Sequence, residues 1–354
     1  MINIKICGII AEYNPLHKGH MYQIEKAKEL TGADFIVCIM SGNFVQRGEN
    51  AVFDKFSRAK AAIEAGADAV VELPAIYALQ SAEYFAFGGV QIADSIGCTH
   101  LCFGSECGEL EALYEKTTNE NFKNIIKTGV SYGKALSIFE DEPNNLLGKE
   151  YLKSLDILDS KIIPVTVKRE QKFASAGKIR AQLQQNSVHT EMYPFELSPL
   201  FFERFFDVIK YKIVSMSAED IAKICGVSEG LEHKIKKETL YARSVDELIK
   251  SIKSKRYTYS RISRILCCIL LDITKSKLRT LINDAPKVKL LGIKKEKAQI
   301  LSLLNNYYIS PIDAKKYDIS TEISNETNVY STQVYSIFTD LIGDEDYTLG
   351  LMKF

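Results

Sequence analysis

The segment EYNPLHKGH, residues Glu12–His20, constrains the fold of this chain more than any other part of the sequence. It follows an apolar run, Ile4–Ile10, and precedes a helical pattern, so it predicts the first strand, turn and helix of an α/β domain. His17 and His20 would face the same way at the helix start, where free backbone N–H groups and the helix dipole attract phosphate. Gly19 would let a nucleotide approach the backbone.

A His-x-x-His pair also has other uses. Such pairs occur as surface or helix-capping residues, and a zinc site would need further ligands at suitable spacing. Here the context favours phosphate, because the pair follows a predicted strand and the Asn14-Pro15 chain break and opens a helix. The HxGH arrangement resembles that of the nucleotidylyltransferase superfamily, which implies attack on the α-phosphate of ATP with loss of pyrophosphate.

Apolar runs alternate with helical patterns through the first half of the chain. Helices are expected at Lys55–Ala65, Ala82–Ile96 and Asn145–Leu155, and further strands at Asp34–Met40, Ala69–Leu73, His100–Phe103 and Lys161–Val165. Strands that are apolar on both faces and separated by helices predict an α/β fold with a doubly wound, Rossmann-like parallel sheet. Ligands of such sheets bind beyond the carboxyl ends of the strands.

The pattern changes past about residue 187. Helical periodicity replaces the strand-like runs at Leu200–Tyr211, Ala218–Cys225, Val245–Ser254 and Arg261–Ile273. We place a domain boundary near Asn186. This gives an ATP-binding catalytic domain over residues 1–186 and a smaller α-helical domain over residues 187–354.

Charge is unevenly distributed along the sequence. The 354-residue chain is neutral overall, with 45 Lys and Arg against 45 Asp and Glu. Residues Leu231–Gln299, however, hold eighteen Lys and Arg against seven Asp and Glu, a net charge of +11. A basic block inside a neutral chain indicates a surface that binds a polyanion.

The cysteines and the apolar segments indicate the compartment. None of the eight cysteines forms a C-x-x-C pair, so we expect buried thiols rather than disulfides, and no metal ligands are predicted. No apolar segment reaches the roughly 18 to 20 residues that span a bilayer. We therefore expect a cytoplasmic protein without membrane association, and we infer no obligate protein partner.

The loop SGNFVQRGE, Ser41–Glu49, directly follows the second predicted strand. An ordinary polar turn would also use Gly and Asn. Its position at the carboxyl end of a strand nevertheless favours substrate contact. We assign that contact to Ser41, Gly42, Asn43, Gln46 and Arg47.

Three further motifs fall at strand ends or helix starts. Gly104 of FGSE could pass close to an adenine or ribose. Asn144 or Asn145 of PNNLLG starts a helix, and either residue could serve only as a helix cap. Lys178–Arg180 begin another helix with two positive charges, which suit the β- and γ-phosphates or the leaving pyrophosphate.

Seven motifs in a fixed order resemble one family, that of the tRNA(Met) cytidine acetate ligases. They run from residue 8 to residue 261, almost three quarters of the chain. HxGH alone indicates only the superfamily, whereas its combination with SGNFVQRGE and KRYTYSR is more specific. The motifs are GIIAEYNPLHKGH, SGNFVQRGE, ELP at Glu72–Pro74, FGSE, PNNLLG, EGLEHKI at Glu229–Ile235 and KRYTYSR at Lys255–Arg261.

The resemblance implies an enzyme that activates acetate with ATP and Mg²⁺ and forms acetyladenylate. It would then acetylate the wobble cytidine of elongator tRNA(Met) to N4-acetylcytidine. His17, Lys18 and His20 would be catalytic. The implied ATP site comprises Ile10, Ala11, Glu12, Tyr13, Asn14, Pro15, Leu16, His17, Lys18, Gly19, His20, Met21, Tyr22, Gln23, Gly104, Asn144 or Asn145, Ile179 and Arg180.

The resemblance also implies that the basic helical domain binds tRNA. Base stacking and phosphate contacts would come from Lys255, Arg256, Tyr257, Arg261 and Arg264. The alternative is a solvated helical face with its tyrosines packed inward. The chain departs from the family in FASAGKIR, where Gly177 replaces an expected threonine and puts a γ-phosphate contact in doubt.

Two other functions are compatible with these motifs. One is a small-molecule adenylyltransferase whose helical extension serves oligomerisation, although the +11 block counts against it. The other is a catalytically silent nucleotide- or RNA-binding protein, which the intact HKGH disfavours. Acetate-dependent ATP–pyrophosphate exchange, with and without tRNA, would separate the three.

Overall fold

Strands alternate with helices through the first half of the chain. The computed structural model describes residues 4–115, 142–170, 172–185 and 197–354. The elements up to residue 184 are β1 (Ile6–Ala11), α1 (Lys18–Thr31), β2 (Phe35–Ser41), β3 (Phe44–Val45), β4 (Glu49–Asn50), α2 (Lys55–Glu64), β5 (Ala69–Leu73), α3 (Ala75–Ala78), α4 (Ala82–Ser95), β6 (His100–Ser105), α5 (Leu110–Glu115), α6 (Pro143–Ile157), β7 (Ile163–Lys168) and α7 (Ala176–Gln184).

Helices dominate the later residues. A 3₁₀ turn at Phe202–Phe205 and another 3₁₀ helix at Lys295–Ser302 accompany them. The other elements are α8 (Phe206–Ser215), α9 (Ala218–Lys223), α10 (Leu231–Tyr241), α11 (Val245–Ile252), α12 (Tyr259–Leu270), α13 (Lys275–Asn283), β8 (Val288–Ile293), β9 (Tyr307–Tyr308), α14 (Pro311–Ala314), α15 (Ile319–Ser336), α16 (Glu345–Thr348) and β10 (Met352–Lys353).

The main sheet has the strand order β10-β8-β5-β2-β1-β6-β7, with β9 also paired to β8. Strands β5, β2, β1, β6 and β7 are mutually parallel, and Ile6 of β1 lies opposite Phe35 of β2. The predicted doubly wound α/β fold is therefore confirmed. The parallel arrangement brings the carboxyl ends of β1, β2 and β6 to one edge, where a ligand site is expected.

The alternation of side chains along β1 explains why helices cover both faces of the sheet. Ile6 and Ile10 pack in one hydrophobic cluster with residues of α4 and α6, such as Phe85. Ile9 packs in the other cluster with residues of α1 and α2, such as Ile24. Successive strand residues point to opposite faces, so an uninterrupted apolar strand needs two cores. Each fully buried isoleucine contributes about 1.5–3 kcal/mol.

Strand β8 differs from the prediction that helices follow residue 187. It runs antiparallel to β5, with Ala69 opposite Ile293, and all six of its residues are buried. The run VKLLGI is short and largely apolar, and periodicity cannot separate a buried strand from a buried helix at that length. The sheet thus includes late residues. The boundary near Asn186 lies outside the described residues, and the division into two domains stays a prediction.

Most of the cysteine side chains are buried, as the sequence predicts. All eight are free thiols, and all except the partly buried Cys107 are buried. Among the helices of the described ranges, none is long and apolar enough to cross a membrane.

Candidate active site

The turn Glu12–His20, which ends in the HKGH motif and is called the HKGH turn below, begins where β1 ends. Backbone N–H groups hold the two imidazoles of this turn. His17 is the N-cap of α1, and its Nδ1 accepts the Gly19 N–H at 3.0 Å. The Nδ1 of His20 accepts the His17 N–H at 3.3 Å. Because each Nδ1 is an acceptor, the proton of each neutral ring is on Nε2. The turn therefore offers two Nε2–H donors at the start of a helix.

Burial keeps both imidazoles neutral. The rings of His17 and His20 stack with centroids 3.8 Å apart, and the rings of Tyr13 and His20 meet edge to face with centroids 5.0 Å apart. Desolvation, together with the charge of Arg169, lowers the pKa of His17 to about 4. Desolvation, reinforced by His17 and Arg169, holds the pKa of His20 well below its usual value. Both rings are hydrogen-bond donors at neutral pH without carrying charge.

Packing against His17 requires a glycine at position 19, in addition to any access that it gives a nucleotide. A Cβ at this position would lie 2.9 Å from Cε1 and 3.1 Å from Nδ1 of His17. The ring of His17 could not then remain folded over the first turn of α1. The residue between the two histidines must be small for the Nδ1 cap to form.

Arg180 reaches the same turn from a distant part of the sequence. Its Nη1 donates to the carbonyl oxygen of Asn14 at 2.7 Å, and its Nε lies 3.3 Å from Oε1 of Glu49. Ser175 caps α7 by accepting the Lys178 N–H at 3.3 Å. A Cβ on Gly177 would have no neighbour closer than 3.9 Å, so space does not explain the missing threonine.

The FGSE and PNNLLG motifs hold each other together. The carboxylate of Glu106 accepts the backbone N–H of Asn144 at 3.3 Å and of Asn145 at 2.8 Å. The Oδ1 of Asn145 accepts the N–H groups of Glu106 at 2.9 Å and Cys107 at 3.1 Å. The helix-capping interpretation of the asparagines is wrong, because Glu142 is the N-cap residue and Glu106 supplies the acceptor. Asn144 is only partly buried, and the Nδ2 of Asn144 also donates to Glu106.

Arg169 is a site residue that no sequence motif indicated. It directly follows β7, and its Nη1 lies 3.6 Å from Oε1 of Glu106. A Cβ on Gly104 would lie 3.5 Å from Cγ of Arg169. The charge of Arg169 also helps to lower the pKa of both turn histidines. In the sequence, the one indication of a role for Arg169 is its place after a predicted strand, at the edge where ligands of such sheets bind.

The first residues of the SGNFVQRGE loop are buried and bonded inside the protein. Ser41 and Asn43 are fully buried, Asn43 accepts the Lys55 N–H at 2.8 Å, and its Nδ2 donates to Thr332 at 3.2 Å. Gly42 is also buried and packs against Glu72. These three residues therefore face the interior, and their predicted substrate contacts stay predictions.

The tip of the same loop reaches the HKGH turn. The Gln46 N–H donates to Oε1 of Glu12 at 2.9 Å. Burial raises the pKa of Glu12, and the charge of the nearby, exposed Arg47 opposes that rise. Gln46 and Arg47 therefore lie beside Glu12, and their contact with substrate stays a prediction.

A second residue that no motif indicated, Arg58, holds the strand ends in place. Its fully buried guanidinium donates to the carbonyl oxygens of Glu12 at 2.6 Å and Ser41 at 3.0 Å. It also donates to the carbonyls of Gly42 and, at 2.9 Å, of Phe53. An arginine inside an apolar helical pattern was the only available signal. The side chain fixes the ends of β1 and β2 relative to α2.

The KRYTYSR segment combines structural and exposed residues. Tyr257 donates to the Ser228 carbonyl at 2.9 Å and is covered by Arg261, whose guanidinium carbon lies 4.6 Å from the ring centroid. Arg261 also donates to the Gly226 carbonyl at 3.1 Å. Tyr257 and Arg261 are partly buried and bonded to the loop at Gly226 and Ser228, as the inward-packed interpretation expects. Their contacts with RNA stay predictions.

The remaining basic residues of this segment form an exposed surface. Lys255 and Arg256 are exposed, and Arg256 pairs with Glu229. An open cavity of about 520 Å³ is lined by Lys250, Lys253, Ser254, Lys255, Thr258 and Tyr259.

Helix α12 packs directly on the SGNFVQRGE loop. Arg264 donates from Nη1 to the Gln46 carbonyl at 3.3 Å, and the Ser263 hydroxyl donates to the Gly48 carbonyl at 2.6 Å. Gly48 has a φ of +82°, and a Cβ there would collide with the backbone of α12. The basic segment and the HKGH turn are therefore joined through one loop.

Comparisons with known proteins agree with this geometry. The family model for HIGH Nucleotidyl Transferase matches residues 4–347. The chain is 37% identical to the tRNA(Met) cytidine acetate ligase of Clostridium novyi, over 97% of this chain and 98% of the relative. It is 36% identical to the enzyme of the same name from Acetivibrio thermocellus, over 89% of each.

A solved structure gives the same result for the fold. Thermotoga maritima TmcAL bound with alpha-thio ATP is 28% identical, with a TM-score of 0.87 over 99% of this chain and 100% of that chain. The apo form of that protein matches with 27% identity and the same TM-score, 0.87. The chain therefore belongs to the tRNA(Met) cytidine acetate ligase family within the HIGH nucleotidyl transferases, which confirms the resemblance seen in its motifs.

Proposed function

We propose that this protein activates acetate with ATP and transfers the acetyl group to the wobble cytidine of elongator tRNA(Met). The product is N4-acetylcytidine. The names of the relatives and the nucleotide in the related Thermotoga structure support this proposal. The observation that carries it is the pair of neutral histidines, His17 and His20, with Nε2–H donors at the start of α1.

The first step requires positioning and charge stabilisation rather than a base. Acetate is already ionised at neutral pH, because its pKa is that of an ordinary carboxylic acid. As its oxygen attacks the α-phosphorus, negative charge grows on the phosphoryl oxygens. Donors from His17 and His20 meet that charge, and the cations Lys18, Arg169 and Arg180 offset the charge of the polyphosphate.

Neutral histidines suit this role because each ring already carries the Nε2–H that donates to the phosphate. A charged pair stacked 3.8 Å apart would repel, and one ring would lose its proton. The Nδ1 bonds fix each ring before substrate arrives, so little reorganisation is needed in the transition state.

Mg²⁺ is the cofactor that we propose beside ATP. No group of three or more His, Cys, Asp or Glu side chains that could hold a metal lies within the described ranges. Mg²⁺ is usually bound through substrate phosphates with few protein ligands. The ion would then accompany the triphosphate and neutralise the departing pyrophosphate.

The exposed part of the basic segment is the surface that we propose for tRNA. Lys250, Lys253 and Lys255 surround one open cavity, and the partly exposed Tyr259 offers an aromatic face there. A polyanion gains affinity by displacing counterions from such a surface.

The experiment is acetate-dependent ATP–pyrophosphate exchange, followed by acetylation of elongator tRNA(Met). We expect exchange that requires acetate, and acetyl incorporation at the wobble cytidine that requires both ATP and tRNA. Exchange with another acid or a nucleotide acceptor, but not with acetate, would indicate the small-molecule adenylyltransferase. No exchange with any acceptor would indicate the silent binding protein.

A further inference from the structure

Glu12 is an unexpected residue in a phosphate-binding turn. It directly follows β1, and a carboxylate there opposes the binding of a triphosphate by like-charge repulsion. Its Oε1 accepts the Gln46 N–H at 2.9 Å. Its Oε2 has no hydrogen-bond partner within the part of the chain that the structure describes. One carboxylate oxygen is therefore fixed in place while the other is available to a substrate.

Charged and titratable groups surround this carboxylate from three elements. Arg47 and Glu49 face it from the SGNFVQRGE loop, Arg180 from α7 and Tyr151 from α6. Burial raises the pKa of Glu12, while Arg47, the Gln46 N–H and Arg180 oppose the rise. A desolvated carboxylate whose pKa is raised, with cations beside it that limit the rise, has the properties of a general base.

The position of Glu12 also matches the direction from which RNA would arrive. Glu12 contacts the loop tip at Gln46, and Arg264 of the basic helix α12 contacts the other side of Gln46. Within the turn, Glu12 is thus the residue joined through Gln46 to the segment that we propose for tRNA. A base that enters from that segment would meet Glu12 next to the acyl donor.

We infer that Glu12 is the general base of the acetyl-transfer step. This inference rests on the proposed function. The lone pair of the cytosine N4 amine attacks the carbonyl carbon of acetyladenylate and forms the C–N bond. The bond between that carbon and the phosphate oxygen breaks, and its electron pair leaves with AMP. The surplus proton on N4 passes to Oε2 of Glu12.

The test variant is Glu12→Gln, which keeps an oxygen for the Gln46 N–H but cannot accept the proton. Full-length enzyme is given synthetic acetyladenylate and elongator tRNA(Met), so that the adenylation step is bypassed. We expect the single-turnover transfer rate to fall by at least about 100-fold, the usual contribution of a general base. Acetate-dependent pyrophosphate exchange should fall much less, because that step needs no base.

A pH profile provides a second readout that a structural role would not change. In the wild type, transfer should rise with pH while Glu12 loses its proton and then level off. That rise should disappear in Glu12→Gln, and Glu12→Asp should recover part of the rate. The matched control is Glu49→Gln, a neighbouring carboxylate that pairs with Arg180, which should change both steps by a similar factor.

Three results would overturn the inference. Transfer by Glu12→Gln at the wild-type rate would show that no proton passes to this group. A parallel loss of exchange and transfer, in a variant that melts like the wild type, would place Glu12 in ATP or Mg²⁺ binding instead. Absence of transfer by the wild type would contradict the proposed function itself, and the role of Glu12 with it.

Discussion

At the scale of single residues, the two turn histidines show how a backbone fixes the chemistry of a side chain. Each Nδ1 is occupied by an N–H of the same helix start, which leaves Nε2–H as the only donor of the ring. Burial then prevents the rings from gaining charge. The protonation state of each imidazole and the direction of its Nε2–H are thus set before any nucleotide binds.

His20→Ala should abolish most acetate-dependent pyrophosphate exchange while leaving the fold intact. Loss of one transition-state donor typically costs about 2.7–4 kcal/mol, a rate decrease of about 10²–10³. The control is His233→Ala, since His233 is exposed on α10 and its side chain is 75% accessible. Exchange near the wild-type rate in folded His20→Ala would contradict the assignment of the HKGH turn.

The same burial predicts how stability depends on pH. The pKa of His17 is about 4 in the folded protein, and that of His20 is also lowered, whereas an unfolded histidine has a pKa of about 6.5. The unfolded chain therefore binds more protons in this interval, and stability is lost as the pH falls from about 6.5 towards 4. Urea unfolding across this range should give a shallower pH slope for His20→Gln. An unchanged slope would show that His20 can ionise in the native state.

At the scale of elements, the site depends on how the ends of β1 and β2 are held. Arg58 of α2 donates to carbonyls at both strand ends, and α12 packs on the loop at Gly48. Both elements act on the backbone of the strand ends and the loop. The geometry of the turn therefore depends on both.

Arg58→Lys should therefore weaken the protein although the charge is conserved. A lysine cannot reproduce the planar fork that serves four carbonyls, so several buried acceptors would have no donor. Removing one hydrogen bond to a charged group costs about 1.5–3 kcal/mol, measurable by urea unfolding. Lys60→Arg, on the exposed side of the same helix, is the control and should change little. Equal stability of Arg58→Lys and wild type would show that the bonds from Arg58 do not stabilise the strand ends.

What the sequence could predict was local, and what it could not predict was long-range. The strand, turn and helix around His17 depend on neighbouring residues, so the local sequence predicts them. Arg169 and Arg180 also sit next to predicted elements, but only the fold shows how near they are to the HKGH turn. The burial of Asn43 depends on Thr332, 289 positions away, which no local pattern could reveal.

At the scale of the whole molecule, the exposed basic surface and the HKGH turn should be separable by mutation. Replacement of Lys253, Lys255 and Arg256 with alanine should weaken tRNA binding. The slope of log affinity against log salt concentration should fall by about one for each phosphate that the variant no longer neutralises. Pyrophosphate exchange without tRNA should be retained. The control replaces three exposed lysines outside this segment together, Lys60, Lys161 and Lys316.

Two outcomes would contradict this separation. Retained tRNA affinity in the triple variant would place the RNA on another surface. Loss of exchange in step with tRNA affinity would show that the basic segment supports the catalytic turn, through the packing of α12 on the loop at Gln46 and Gly48.

The antiparallel strand β8 has a consequence for biosynthesis. It covers the edge of β5 inside the sheet, yet it is encoded near the end of the chain, at Val288–Ile293. A ribosome finishes β1, β2 and β5 long before β8 emerges, and at about 5–20 residues per second the delay is about 10–40 seconds. During that interval the nascent sheet presents an open hydrogen-bonding edge to other chains. Protection of that edge until β8 is synthesised is therefore a requirement for correct folding of the nascent chain.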